Sequence, residues 1–264
     1  MTIEEMKKRK TELGYTNAMI AELSGVPLGT VQKIFSGETV SPRYDTLIAL
    51  QNLLRKRSEV HDSAPYYASS AKKQGEYTLD DYYALPEDQR FELIDGWLYE
   101  MLAPVPLHQR IAGEIHRQIA NYILDHDGDC IPFISPIDVQ LDCDNKTMVQ
   151  PDVAILCKRD KMTKKNLYGA PDFILEVISP STRRKDYTKK LQKYIDAGVR
   201  EYWILDPYAK RILVYFFEGD FYPVIYGLDG SVPVSIYDGK LEISMKHIKR
   251  WVEETLEAEE KNAE

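Results

Sequence analysis

The chain has 264 residues, 44% of them hydrophobic, which is enough to form the core of one large domain or of two smaller ones. No apolar run approaches the roughly 18 residues that a membrane-spanning helix needs, and the N-terminus has no apolar signal segment. These features predict a cytoplasmic protein that does not enter membranes.

Charge is unevenly distributed along the chain. Residues 1–57 carry nine Lys and Arg against six Asp and Glu, a net charge of +3, whereas the remainder carries 25 against 36, a net charge of −11. A small basic module ahead of a larger acidic one indicates two domains with different partners. We predict a first domain at 1–57, a linker at 58–76, a second domain at 77–250 and an acidic tail at 251–264.

The first module has the pattern of a helix-turn-helix domain. Four helices are predicted: one at 3–14, one that begins at an N-cap at Thr16, one at 27–35 and one at 44–54. A tight turn lies at Ser24-Gly25, and Gly37 ends the third helix. The segment 3–57 resembles the Cro and phage-repressor class of DNA-binding domains, and the alternative is a helical protein-interaction bundle. The helix at 27–35 should present four residues to DNA: Leu28, Thr30, Gln32 and Lys33.

The second module alternates helices and strands. In chain order we predict a capped helix at 78–85, a hairpin at 90–101, a helix at 108–124, strands at 134–141, 149–156 and 172–179, a helix ending at Gly198, a strand at 201–206, a meander at 211–226 and a C-terminal helix. The three cysteines, Cys130, Cys143 and Cys157, have no Cys-x-x-Cys spacing, so we expect neither a zinc site nor a disulfide.

Two apolar strands each contain one carboxylate. Asp152 lies in the strand at 149–156 and Glu176 in the strand at 172–179. A buried carboxylate is costly unless a cation meets it, and two on neighbouring strands would repel each other without one. The pair therefore predicts a Mg²⁺ (or Mn²⁺) site with two protein carboxylates. On the following helix, Asp186, Lys190 and Tyr194 stand four apart and share one face.

The motifs resemble those of the Uma family of restriction endonucleases, which belongs to the PD-(D/E)XK nuclease superfamily. They are Pro151-Asp152, Glu176-Val-Ile-Ser-Pro-Ser-Thr, Asp186-x-x-x-Lys190-x-x-x-Tyr194 and Ala197-Gly-Val-x-Glu-Tyr-Trp-Ile-x-Asp-Pro207, supported by Arg90-x-Glu-Leu-Ile-Asp-Gly96, Pro104-x-Pro-x-His108 and Gly169-Ala-Pro-Asp172.

The resemblance implies a role for each matching residue. Asp152 and Glu176 become metal ligands with the backbone carbonyl of Val177, and the same two acids with Lys190 become the catalytic set. The superfamily's lysine position holds Ile178 here, so the lysine is carried over to Lys190, with Lys189 as the competing choice. Four further residues are candidates for a supporting shell: Glu92, His108, Asp186 and Tyr194.

The sequence thus predicts an α+β or α/β nuclease fold, a mixed central sheet flanked by helices, preceded by a small all-α domain. We expect a metal-dependent DNA endonuclease that is targeted by the first domain and forms a homodimer. The alternative is a DNA-binding regulator whose nuclease-like domain is inactive and serves dimerisation. The intact set of two acids and a lysine favours the enzyme, whereas the net charge of −11 favours the regulator.

Overall fold

The computed structural model describes residues 3–12, 16–39, 42, 44–54, 72–86, 89–179, 183–219 and 222–263. The chain divides into two compact units, 1–71 and 72–264. The division lies in the segment that we predicted as a linker, most of which, 58–71, is outside the described residues.

The first unit consists of four helices. They are α1 (Ile3–Glu12), α2 (Asn17–Ser24), α3 (Leu28–Ser36) and α4 (Tyr44–Leu54). Their core is formed by Met6, Ile20, Val26, Val31, Ile34, Leu50 and Leu54. Gly37 ends α3 with a φ of 90°, and its N–H donates to the Ile34 carbonyl, as a left-handed glycine cap does.

Helix α3 buries one face and exposes the other. Val31 and Ile34 are buried. Of the four residues predicted to meet DNA, three are exposed and Thr30 is half-buried; the exposed three are Leu28, Gln32 and Lys33. The burial pattern is therefore that of a helix with a free polar face.

The larger unit contains both helices and strands. Its helices are α5 (Leu79–Tyr83), α6 (Pro106–Asp125), α7 (Arg183–Lys185), α8 (Leu191–Ala197) and α9 (Lys246–Ala263), and a π-helical turn, Asp186–Lys190, joins α7 to α8. Its strands are β1 (Phe91–Ile94), β2 (Trp97–Glu100), β3 (Ile131–Ile134), β4 (Val139–Gln140), β5 (Val153–Leu156), β6 (Leu167–Tyr168), β7 (Phe173–Val177), β8 (Glu201–Asp206), β9 (Arg211–Phe216), β10 (Val224–Gly227), β11 (Ser231–Pro233) and β12 (Glu242–Ser244).

A six-stranded mixed sheet forms the centre of this unit. The strand order is β10-β9-β8-β7-β5-β3, with β7 and β8 parallel and the other pairs antiparallel. The segment α7–π turn–α8 is the crossover between the two parallel strands, as a parallel pair requires. Strands β5, β7 and β8 are buried along their whole length. One sheet face packs with residues of α6 and α9, and the other with Tyr194 of α8.

Three predicted segments differ from the structure. The strand predicted at 134–141 is wrong: β3 ends at Ile134, and only the two residues of β4 follow. Pro136 has no N–H to donate to a ladder, which explains the break. Strand β5 starts at Val153, so Asp152 precedes it. Residues 251–263, predicted as a tail, continue α9, and Val252 is buried.

The prediction of free cysteines was wrong for one pair. Cys130 and Cys157 form a disulfide with an S–S distance of 2.03 Å, and Cys143 is free and exposed. The β3–β5 register pairs Ile131 with Leu156, and one further step places Cys130 opposite Cys157. A separation of 27 residues conceals this proximity in the sequence. Among the described residues, no helix is both long and apolar enough to cross a membrane.

The β1–β2 hairpin depends on a glycine at its turn. Gly96 has a φ of 77°, and a Cβ built there would lie 2.4 Å from the carbonyl oxygen of Gly75. We expect Gly96→Ala to lower the free energy of unfolding by at least ~1 kcal/mol. Denaturant unfolding followed by tryptophan fluorescence measures this in the larger unit alone, because all three tryptophans lie there.

A matched control is Gly113→Ala in α6, where a Cβ would meet nothing within 4 Å. This substitution should raise stability by up to ~1 kcal/mol, because alanine favours the helix. Equal stability of the Gly96→Ala variant and the unaltered protein would show that the hairpin turn tolerates a side chain.

Candidate active site

The two predicted metal-binding carboxylates lie on neighbouring chain segments. The antiparallel register of β5 and β7 pairs Val153 with Leu175, and one further step places Asp152 opposite Glu176. Asp152 is 8% exposed and Glu176 is 4% exposed. Directly opposite residues of an antiparallel pair project from the same face, so the structure brings these two carboxylates together at one point of the sheet.

Asp152 is held by the backbone of β7 and by α6. Its Oδ2 accepts a 2.7 Å hydrogen bond from the Val177 N–H, and the same oxygen lies 3.0 Å from Nε2 of His108. His108 is placed there because α6 begins at Pro106, and it therefore occupies the first turn of the helix. Burial lowers the pKa of His108, but the hydrogen bond and charge of Asp152 outweigh it and raise the pKa above its ordinary value.

Lys190 lies between two buried carboxylates. Its Nζ is 2.7 Å from Oε1 of Glu176, 2.7 Å from Oε1 of Glu92 and 3.7 Å from Oδ1 of Asp186. Burial alone would lower the pKa of Lys190, but the negative charges of Glu176 and Glu92 raise it well above its usual value. The ammonium is therefore charged although it is only 2% exposed.

The π-helical turn Asp186–Lys190 sets which residues of this helical segment face the acids. Tyr194 follows Lys190 by one helical turn, and its hydroxyl donates a 2.7 Å hydrogen bond to the same Glu176 oxygen that Lys190 contacts. Asp186, Lys190 and Tyr194 are all buried. By contrast, Lys189 is exposed, and its Nζ lies 2.5 Å from the hydroxyl of Tyr99. Of the two candidate lysines, the structure places Lys190 at the acids.

Glu92 is the residue where strand β1 meets the cluster. It accepts the Gln150 N–H at 3.1 Å on Oε1 and lies 2.5 Å from Nζ of Lys185 through Oε2. Burial raises the pKa of Glu92, but the charges of Lys190 and Lys185 lower it to about 2. Sequence reasoning did not place Lys185 in this cluster. The only hint in the sequence was that Lys185 lies five residues before Lys190. Residues five apart share one side of a helix only where the helix contains a π turn.

A second missed residue is Gln150, which links the cluster to neighbouring segments. Its side-chain oxygen accepts hydrogen bonds from Arg90 at 2.7 and 3.1 Å. Its amide nitrogen donates to the Tyr82 hydroxyl and to Asp138, each at 2.9 Å. Gln150 precedes Asp152 by two residues, so this network holds the backbone that carries the acid. In the sequence, the only hint of this role was that Gln150 is a polar residue between two apolar ones.

The charges of the cluster fit a divalent cation. Four acids, Glu92, Asp152, Glu176 and Asp186, face two lysines, Lys185 and Lys190. Burial and then the neighbouring carboxylates raise the pKa of Glu176 well above its ordinary value, although Lys190 opposes them. An ionised Glu176 is therefore incompletely neutralised by the protein. The surplus negative charge is carried by hard oxygen atoms, the ligands that Mg²⁺ and Mn²⁺ prefer.

The number of protein ligands is small. Among the described residues, no group of three or more His, Cys, Asp or Glu side chains is arranged to hold a metal ion. A site built on Asp152 and Glu176 would thus have two carboxylates, which suits Mg²⁺ because it commonly keeps several waters and takes only one or two carboxylates. Residues 180–182 of the Ser-Pro-Ser-Thr motif lie outside the described residues.

Two family models match the chain. Residues 79–240 match the Uma2 model, which is described as "Putative restriction endonuclease", and residues 6–60 match the HTH_3 model, described as "Helix-turn-helix". The four helices of the first unit agree with the second match. No curated protein matches the chain.

A solved structure resembles the larger part of the chain. It is titled "Crystal structure of a putative nuclease belonging to DUF820 from Anabaena variabilis ATCC 29413", and it is 22% identical with a TM-score of 0.55. The match covers 66% of this chain and 98% of that one. At this identity the likeness shows a shared fold, the predicted mixed sheet flanked by helices.

Glu92 gives the stability of the larger unit a specific pH dependence. Its pKa of about 2 is lower than the 4.5 of the unfolded chain, so its ionised form stabilises the fold fully above pH 4.5. That contribution is lost as the pH falls through 2. Between pH 5 and pH 2 the unaltered protein should lose ~3 kcal/mol more stability than Glu92→Gln.

Urea unfolding at several pH values, followed by tryptophan fluorescence, would measure the difference. Glu100→Gln is the matched control, because Glu100 is an exposed glutamate at the end of the same hairpin. Its stability should follow the curve of the unaltered protein. Parallel curves for Glu92→Gln and the unaltered protein would contradict the assignment of this contribution to Glu92.

Proposed function

Because the chain belongs to the family described as putative restriction endonucleases (Uma2), we propose that its larger unit hydrolyses phosphodiester bonds of DNA with a bound Mg²⁺ or Mn²⁺. The observation that carries this proposal is the buried ammonium of Lys190, which lies between Glu92 and Glu176, and Glu176 is in turn opposite Asp152. A charged lysine beside two closely placed acids is the combination that phosphodiester hydrolysis needs.

Asp152, Glu176 and the backbone carbonyl of Val177 would hold the metal. When bound, the ion supplies charge to neutralise the nonbridging phosphate oxygens and makes a bound water more acidic. The surplus of buried carboxylates supports this assignment, because a cation there would neutralise the ionised Glu176 that the protein alone leaves destabilised.

The remaining residues of the cluster position these groups. His108 and the Val177 N–H fix one oxygen of Asp152, while Tyr194 and Lys190 fix one oxygen of Glu176. Lys190 is thus preorganised, and its ammonium would stabilise negative charge that develops on the phosphate or on the attacking water. Such fixed charge is effective because it needs no rearrangement during the reaction.

The first unit would supply the affinity for duplex DNA. The larger unit is acidic, whereas α3 of the first unit presents Gln32 and Lys33 to solvent. In the major groove glutamine can pair with adenine and lysine with guanine. We therefore propose that residues 1–57 select the DNA and that the larger unit cuts it, with a homodimer as the predicted assembly.

A second candidate function is a DNA-binding regulator with an inactive nuclease-like unit. One observation favours it: Lys185 and Lys190 already neutralise Glu92, so part of the cluster contributes to the stability of the fold. In that case the larger unit would serve dimerisation. Incubation of the protein with plasmid and Mg²⁺, beside an EDTA control, distinguishes the two functions.

The two acids and the lysine should each be needed for cleavage. We expect Asp152→Asn, Glu176→Gln and Lys190→Met to lower metal-dependent plasmid cleavage at least ~100-fold, the first two by weakening metal binding and the third by removing a fixed positive charge. Single-turnover cleavage with excess protein, together with Mn²⁺ titration calorimetry, separates the loss of metal from the loss of charge.

Lys193→Met is the matched control, because Lys193 lies on the same helix and pairs with Asp95 and Asp142 outside the cluster. Its cleavage rate should stay close to that of the unaltered protein. If Lys190→Met unfolds, Lys190→Arg keeps the charge and provides a folded comparison. Full cleavage by either acid variant would rule out the metal assignment.

Binding of duplex DNA should depend on the exposed face of α3. Lys33→Ala should weaken binding and flatten the dependence of log K on log salt, because it removes a positive charge from the face of α3 that meets the DNA. Gln32→Ala should reduce discrimination between sequences by ~1–3 kcal/mol. Fluorescence anisotropy of labelled duplexes at several salt concentrations measures both quantities.

The control for these variants is Lys8→Ala, which removes an exposed lysine from α1 instead of α3. It should leave the sequence preference unchanged. If Lys33→Ala and Gln32→Ala both bind as the unaltered protein does, α3 is not the DNA-reading helix and the first unit is better explained as a protein-interaction module.

A further inference from the structure

Two aromatic side chains, exposed Trp97 and half-buried Tyr99, and the exposed Lys189 form a surface beside the acid cluster. Trp97 and Tyr99 lie two residues apart on β2 and therefore project from the same face of that strand. Nζ of Lys189 lies 5.4 Å from the ring centre of Trp97 and 5.1 Å from that of Tyr99. Trp97 is 38% exposed, which is unusual for so large an apolar side chain. We call these three residues the aromatic–lysine surface.

Lys189 differs from the neighbouring lysines of its helix. Lys185 pairs with Glu92, and Lys193 pairs with Asp95 and Asp142. Among the described residues, no carboxylate lies within ion-pair distance of Lys189, and its contacts are the two rings and the Tyr99 hydroxyl. The ammonium of Lys189 thus lies against two aromatic rings and is available to bind an anion.

The aromatic–lysine surface is continuous with the candidate active site. In the β1–β2 register Tyr99 lies opposite Glu92, whose carboxylate contacts Lys190. Nζ of Lys185 lies 2.5 Å from that carboxylate and 5.5 Å from the ring centre of Tyr99. A polymer that places one phosphate at the acids would therefore extend over Tyr99 towards Lys189 and Trp97.

We propose that Trp97, Tyr99 and Lys189 form a subsite for an unpaired stretch of the nucleic-acid strand that is cut, in which Lys189 binds a phosphate and the exposed ring of Trp97 stacks on a base. The inference deepens the proposed function and rests on it, since it assumes that the larger unit acts on nucleic acid. Alternating phosphate contacts and stacked aromatic rings are the usual means of binding single strands.

The chemistry favours an unpaired strand over a duplex. In a duplex both faces of each base are covered by neighbouring bases, so an aromatic ring on the protein surface has no base face to meet. A protein partner would also use exposed aromatic residues, but it would not account for an ammonium that meets no carboxylate of the described residues and lies next to a cluster suited to phosphodiester chemistry. The subsite would let an acidic unit hold its substrate without a broad basic surface.

Tryptophan fluorescence of the full chain provides a direct test. The three tryptophans, Trp97, Trp203 and Trp251, all lie in the larger unit, so the fluorescence reports on that unit. Trp203 is fully buried. The probes are a twelve-nucleotide oligothymidylate and the duplex of the same length, titrated in EDTA so that no strand is cut.

We expect the single strand to quench fluorescence and the duplex to quench it much less. Trp97→Leu should remove most of the quenching and weaken single-strand binding about tenfold. Lys189→Met should weaken binding and lower the salt slope by about 0.7, the value for one phosphate contact on a single strand. Lys193→Met, from the same helix, should change neither quantity.

Equal quenching by single strand and duplex, or unchanged single-strand affinity in both Trp97→Leu and Lys189→Met, would overturn the subsite. Plasmid cleavage with Mg²⁺, measured in parallel, keeps the two proposals apart. If the protein cleaves plasmid but these variants do not change single-strand binding, the subsite is rejected and the nuclease function is kept. Variant-sensitive binding without metal-dependent cleavage retains the subsite and rejects the nuclease.

Discussion

The structure of the larger unit depends on one buried ammonium. Lys190 is almost fully removed from solvent and is stable there only because Glu92 and Glu176 both approach it at 2.7 Å. Those two acids come from different parts of the fold, one from the β1–β2 hairpin and one from the central strand β7. Loss of any partner leaves a buried charge uncompensated, so the hairpin, the sheet and the helical crossover are tied to a single geometry.

Local patterns predicted much of this arrangement. Helix α4 and strand β8 have the bounds that the sequence predicted, and the four-residue spacing of Asp186, Lys190 and Tyr194 indicated a shared face. The contacts that were missed depend on register between distant segments. The pairing of Cys130 with Cys157 and the approach of Lys185 to Glu92, 93 residues apart in sequence, follow from strand pairing and from a π turn. The disulfide has no local sequence signal, and the five-residue spacing of Lys185 and Lys190 becomes a signal only where a π turn is known.

The uneven charge of the chain has a structural counterpart. The larger unit is acidic as a whole, but part of that charge is buried at the candidate site, where the proposed function would have it hold a metal ion. One exposed cation of this unit, Lys189, lies against two aromatic rings beside that site. Under the proposed function, the basic first unit would supply the affinity for duplex DNA, and the larger unit would need only local contacts with the strand at its acids.

The π turn at Asp186–Lys190 has a consequence for how related chains should be compared. In a regular α-helix, residues five apart lie about 140° apart around the axis, so Lys185 and Lys190 could not both reach Glu92. The turn adds the equivalent of one inserted residue to the helix. A relative that lacks one residue there would have its counterpart of Lys185 four residues before that of Lys190, about 40° away on a regular α-helix, so both would still face Glu92. An alignment gap at this place is therefore compatible with an unchanged site, whereas a regular α-helix of the same length would turn Lys185 away.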